Sequence, residues 1–184
     1  CVEQPADELA LCVCVRGLDG DEAMPENGYL GGERHRAFFS TDCPAFPLAP
    51  ELRDRSLFKL VLVTPGCFGG WVPEWLLGER NGWSNLPGTE IELRLRSAVV
   101  SRYQNVSGWD YKVKKPKATQ RLVPAGSVYL VELRNPEQAA DFQEALWGKS
   151  ICLTAEGKLN QAGKDGYGTC LLADGESSTE FENS

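Results

Sequence analysis

The sequence predicts an α+β fold of short strands with few helices, and three observations carry that expectation. Glycine (19) and proline (11) make up about a sixth of the 184 residues, which favours turns and short strands. Apolar runs and period-two alternation recur from residue 57 onward. A single long stretch, Pro136–Trp147, carries helix start and stop signals. With 42% hydrophobic and 24% charged residues, the chain reads as globular with a core of its own.

Residues 8–16, Glu-Leu-Ala-Leu-Cys-Val-Cys-Val-Arg, read as a strand ending in the turn Gly17-Leu18-Asp19-Gly20. Residues 25–36 read as a loop rich in glycine and charge, followed by a short strand over Ala37–Ser40. Three prolines in 43–50 predict an irregular connector. Pro50–Arg55 reads as a short helix.

Leu57–Val63 is an apolar run of the kind a buried strand needs. After the turn Thr64-Pro65-Gly66, residues 69–77 suggest glycines leading into one or two helical turns. Residues 89–103 alternate, with Ile91, Leu93 and Leu95 on one face and Glu92, Arg94 and Arg96 on the other. Residues 106–121 read as an exposed hairpin or loop, and Val123–Leu133 as a strand. Pro136–Trp147 is a helix with Asn135 as N-cap, Pro136 at its first position and Gly148 beyond its end. Ile151–Leu153 reads as a short strand, 155–166 as loop and Tyr167–Ala173 as the last strand.

From Leu57 the order is strand, helix, strand, hairpin, strand, helix, strand. That is the ferredoxin-like βαββαβ order with a basic hairpin inserted between its second and third strands. The expected organisation has three parts. Residues 1–50 form part of another domain with the glycine-rich loop and connector, 51–173 the ferredoxin-like domain, and 174–184 an acidic, disordered tail. The chain starts without methionine, and Met24 is its only one, so a fragment of something longer is expected.

No run of about 18 apolar residues occurs, and no basic stretch followed by an apolar one opens the chain. The expectation is a cytoplasmic protein with no membrane partner. The seven cysteines have scattered spacings and form no Cys-x-x-Cys pair, so they read as free thiols, and no metal or other cofactor is expected.

The net charge of −7 by itself argues against nucleic acid. Its distribution argues the other way. The first 26 residues and the tail are acidic, whereas Arg94, Arg96, Arg102, Lys112, Lys114, Lys115, Lys117 and Arg121 face Asp110 alone over 94–121. Around Tyr103, Trp109 and Tyr111 those cations offer phosphate pairing and rings for base stacking. Composition leaves a second reading open, a solvated lysine-rich loop. Gly28–Arg36 can bring exposed amides near a phosphate with Arg34 and Arg36 beside them, or can be a plain turn. Gly163–Gly168 alone reads as a turn requiring positive φ. Catalysis has little to draw on: His35 is the only histidine, so no serine or cysteine triad forms without it.

Three stretches together resemble one family: Leu30-Gly31-Gly32-Glu33-Arg34, then Ser107–Asp110 through Pro116-Lys117 to Leu122–Tyr129, and Gly166-Tyr167-Gly168. Their order and spacing are similar to the third subunit of the type III-B CRISPR (Cmr) effector, the tag-binding member of the RAMP superfamily, and cover its carboxy-terminal portion. The resemblance implies RRM-like domains and binding to the repeat-derived 5′ tag of the guide RNA. It also implies docking on the large polymerase/cyclase-like subunit and on a backbone RAMP subunit, with no catalysis of its own. It nominates Gly31, Gly32, Arg34, Arg36, Trp109, Lys112, Lys114, Lys115, Lys117 and Arg121 as RNA contacts. Two rival readings stand beside it: a metal-independent endoribonuclease that processes the guide, and a structural subunit that touches no RNA.

Overall fold

Alternating strands become a sheet when their apolar sides meet across the ladder and bury one common face. The computed structural model describes residues 27–30, 34–39, 47–78 and 82–176. They form a mixed α/β fold with mostly strands and few helices, in two compact units, Cys1–Leu48 and Ala49–Ser184.

In the first unit β1 (Asn27–Leu30) pairs antiparallel with β2 (His35–Phe38), Asn27 opposite Phe38 and Leu30 opposite His35. The loop expected over 25–36 is corrected at 27–30 and 35–36, because backbone pairing across a short connection overrides a composition poor in strand formers. The strand expected over 8–16 and its turn lie outside the described residues.

The second unit holds β3 (Leu57–Leu62), β4 (Ser84–Asn85), β5 (Glu92–Val99), β6 (Gln104–Val106), β7 (Trp109–Asp110), β8 (Lys115–Pro116), β9 (Gln120–Leu122), β10 (Val128–Leu133) and β11 (Cys170–Asp174). Its helices are α1 (Ala139–Leu146) and α2 (Gln161–Lys164), with 3-10 turns at Glu74–Leu76 and Pro136–Gln138. Five strands make one antiparallel sheet in the order β11-β3-β10-β5-β4.

The buried face follows from the alternation. Phe58, Leu60 and Leu62 on β3, Tyr129, Val131 and Leu133 on β10, and Cys170 and Leu172 on β11 all point into one core. Helix α1 covers them with Ala139, Phe142 and Leu146, and Phe142 meets Phe58 edge-on at 5.1 Å between centroids. The sequence signals of this helix are realised: Asn135 accepts from the Glu137 amide at 3.0 Å, Pro136 opens the first turn and Gly148 has φ 64°. That first turn is 3-10 rather than α.

Other expectations are corrected. Strict alternation over 89–103 breaks at Arg96, where β5 carries an extra residue against β10: Leu130 faces Ser97 while Val131 faces Leu95. Beyond this bulge the faces exchange, so Val99 is exposed while Ala98 packs on the core. No helix forms over Pro50–Arg55, since Asp54 sits at φ 55° in a turn. The helix expected after Gly69-Gly70 shrinks to Glu74–Leu76, because Pro73 restricts the residue before it and only three residues continue. The loop over 155–166 contains α2, whose first turn is capped by the Asn160 side chain accepting from Gly163 N at 3.0 Å. The last strand starts at Cys170 and runs to Asp174. Asp174 and Glu176 both pair with Arg55, so the first residues of the expected tail join the sheet.

Candidate nucleic-acid interface

A hairpin projects where β5 leaves the sheet. β6 pairs with β9, Asn105 opposite Arg121, and β7 continues the ribbon against β8, Trp109 opposite Pro116. Between the two tiers Lys117 N donates to Gly108 O at 2.7 Å, and the Ser107 hydroxyl donates to Lys117 O at 2.9 Å. At the tip the Asp110 carboxylate accepts from the amides of Lys112 (2.9 Å) and Val113 (3.2 Å), an Asx turn built by the side chain itself. Lys114 closes the turn at φ 51°.

The structure brings six of the expected contacts onto this ribbon. Trp109, Lys112, Lys114, Lys115, Lys117 and Arg121 are all exposed, and Tyr111 between them is 84% exposed. Arg34 and Arg36 belong to the other unit, both exposed, Arg34 at φ 53° and Arg36 opposite Tyr29 in the β1–β2 pair. Gly31 and Gly32 lie outside the described residues.

Pairing separates the cations into two sets. On the sheet, Arg94 Nε donates to Glu132 at 2.5 Å, and Arg96 lies 3.3 Å from the same carboxylate. Arg134 donates to both Glu92 oxygens, at 2.9 and 3.0 Å. Arg94 and Arg134 also each sit 4.6 Å from the Trp83 ring. The hydrogen bond from Arg94 holds the Glu132 carboxyl below its ordinary range. On the hairpin, among the described residues, neither the four lysines nor Arg121 has a carboxylate partner within 4.0 Å. Arg94 and Arg96, counted in the sequence as part of one positive field, therefore share the single Glu132 carboxylate, which offsets one of their two charges within the sheet.

At the root of the hairpin lies a groove of about 520 Å³, walled by Trp71, Tyr103, Arg102 and Arg121. The Arg121 guanidinium rests 4.8 Å from the Tyr103 ring. Sequence reasoning did not nominate Trp71 as an RNA contact: Gly69-Gly70-Trp71 reads as the start of a helix, and the bridge between Gly66 and Val123, with the contact of Cys67 to Gln120, brings that loop to the hairpin root.

The glycine-rich 163–168 loop has a packing role. Gly168 sits at φ 76°, and a Cβ there would meet Cys152 Sγ at 2.6 Å. Burial pushes the thiols of Cys67, Cys152 and Cys170 up, Cys170 to about 12, so these sulfurs stay protonated at neutral pH. Among the described residues no cluster of three His, Cys, Asp or Glu side chains could hold a metal ion. No helix among them is long and apolar enough to cross a membrane.

Fold and site together define a class of protein: a strand-rich α/β body that displays a cationic, aromatic β-ribbon. The chain belongs to the CRISPR-associated protein (Cas_Cmr3) family, whose family model matches residues 4–174. Membership makes it a subunit of the type III-B CRISPR complex, an assembly of Cmr subunits with guide RNA. No curated protein matches it.

Proposed function

We propose that the chain is a non-catalytic, RNA-holding subunit whose hairpin grips the repeat-derived 5′ tag of the guide RNA and whose body caps the effector filament. One observation carries this reading: among the described residues the hairpin's cations are exposed without carboxylate partners, while those of the adjoining sheet are paired. An unpaired cation on a flexible stem gains by meeting a phosphate and releasing its counterions. Trp109 and Tyr111 offer faces for unpaired bases on the same ribbon. Gly31, Gly32, Arg34 and Arg36 are a second contact in this proposal.

On the same reading the domain over 51–173 is ferredoxin-like. The order β11-β3-β10-β5 matches the fourth-first-third-second order of a βαββαβ sheet, with the 3-10 turn Glu74–Leu76 in place of the first helix. The neighbours in the assembly are the large polymerase/cyclase-like subunit and a backbone RAMP subunit. Cutting belongs to other subunits.

The test is guide retention by the assembled complex after charge reversal at Lys114, Lys115 and Lys117. Weaker retention with a flatter salt dependence is expected; unchanged affinity and slope would remove the hairpin from the RNA contact. Incubation of the purified chain with repeat RNA is expected to produce no new ends. Cleavage that His35→Ala abolishes would make the chain the nuclease instead.

A further inference from the structure

We infer that the groove at the root of the hairpin is a pocket for one nucleotide, its base turned out of the strand against Trp71 and Tyr103 and its phosphate beside Arg102 and Arg121. The inference rests on the RNA-holding reading and adds a subsite to it.

The chemistry of the walls selects the ligand. Trp71 and Tyr103 both line the groove and are 51% and 50% exposed, so each leaves about half of its surface open to a ligand. Ala98 and Val100 give it an apolar lining, and among the described residues no carboxylate lines it. Among the described residues neither Arg102 nor Arg121 has an acidic partner. Rings beside cations with no anion suit a ligand that is flat at one end and anionic at the other. The volume of about 520 Å³ falls within the ~300–1,000 Å³ of small-ligand sites.

The walls are also fixed in advance. The Trp71 carbonyl accepts from the hydroxyl of Tyr129 at 2.6 Å, and Tyr129 is fully buried in the sheet. The same loop is tied to the end of β9 by the reciprocal 2.8 Å hydrogen bonds between Gly66 and Val123. Gly69, two residues before Trp71, adopts φ 76°, and a Cβ there would meet nothing within 4 Å. The turn therefore needs glycine for its backbone angle, and the space beside it stays open. A platform held by the core keeps its shape while the strand is bound or released.

The experiment uses the assembled complex and synthetic guide RNAs carrying one abasic nucleotide at successive positions. Trp71→Ala is expected to weaken guide binding by about five- to hundred-fold, the range of a lost ring–base stack, with Tyr103→Ala alike. At one position the abasic guide should bind wild-type complex equally weakly, yet lose nothing further with Trp71→Ala, because base and ring remove the same contact. Trp71→Phe keeps a face and should restore most of the affinity, which separates stacking from misfolding. Full additivity at every position, or unchanged binding by Trp71→Ala and Tyr103→Ala, would overturn the pocket. If the triple lysine reversal still weakens retention in that case, the hairpin reading survives without it. If Trp71→Ala instead releases a neighbouring subunit while guide affinity holds, the groove is a protein contact and the inference falls. A complex that never retains guide RNA would remove both readings.

Discussion

The five-stranded sheet and the hairpin rooted in it carry the same kinds of side chain, basic and aromatic, and use them in opposite ways. On the sheet, Arg94, Arg96 and Arg134 are all engaged by Glu132, Glu92 or the Trp83 ring. On the hairpin, Lys112, Lys114, Lys115, Lys117 and Arg121 face solvent with no carboxylate partner among the described residues. Charge in a sequence is thus not yet a field. Cross-strand carboxylates decide which cations remain available to a partner.

The comparison breaks most visibly in stability. Phe142→Ala removes the ring that closes the sheet core against Phe58 and is expected to cost about 3–5 kcal/mol in urea unfolding. Lys115→Ala on the ribbon should stay within about 0.5 kcal/mol of wild type by the same measurement. A hairpin substitution as damaging as Phe142→Ala would mean that the ribbon belongs to the core.

The next effect is read in salt. Reversal of Lys114, Lys115 and Lys117 should flatten the slope of log guide affinity against log salt by about two, since each single-strand phosphate contact contributes roughly 0.7. Arg94→Gln should leave that slope nearly unchanged, since this cation is already paired with Glu132 within the sheet. Equal flattening by both variants would erase the distinction between the regions.

These two regions were not equally legible in the sequence. The core strands and α1 follow from local signals, such as the alternation of Phe58, Leu60 and Leu62 or the cap of Asn135, Pro136 and Gly148. The hairpin's exposure was legible too, because a lysine-rich segment with few apolar residues has nothing to bury. The pairing of Arg94 with Glu132 was not, since it spans 38 residues and depends on register. The bulge at Arg96 was hidden for a related reason: alternation in one strand says nothing of an extra residue relative to its partner. The groove needed Trp71, Tyr103 and Arg121 to converge from three separate segments, and no spacing records that.

A smaller effect sharpens the picture on the sheet side. The Glu132 carboxyl titrates below its unfolded value of about 4.3, chiefly because Arg94 hydrogen-bonds its charged form. Its contribution is fully present above the unfolded value and is lost as pH falls through the folded one. Stability should therefore decline on acidification below about pH 4, and Glu132→Gln should remove roughly 1 kcal/mol or less of that decline. An identical acid limb in the variant would show that the pair contributes nothing measurable.

The smallest effect tests the hairpin's field through its one carboxylate. Asp110 both builds the tip and opposes the surrounding lysines, and two substitutions separate those roles. Asp110→Asn keeps an oxygen to accept from the Lys112 and Val113 amides while removing the negative charge. At about 8 Å through water, removing one charge from a phosphate's surroundings is worth roughly 0.5 kcal/mol, so guide affinity should rise about twofold at low salt. The gain should vanish near 1 M salt, where the screening length shrinks to about 3 Å. Asp110→Ala removes the same charge and also the acceptor, leaving the tip amides to water. Its affinity should fall below that of Asp110→Asn at every salt concentration, and tip amides should exchange faster. If the two variants bind guide RNA identically, the shape of the tip is irrelevant and the ribbon acts as a carrier of charge alone.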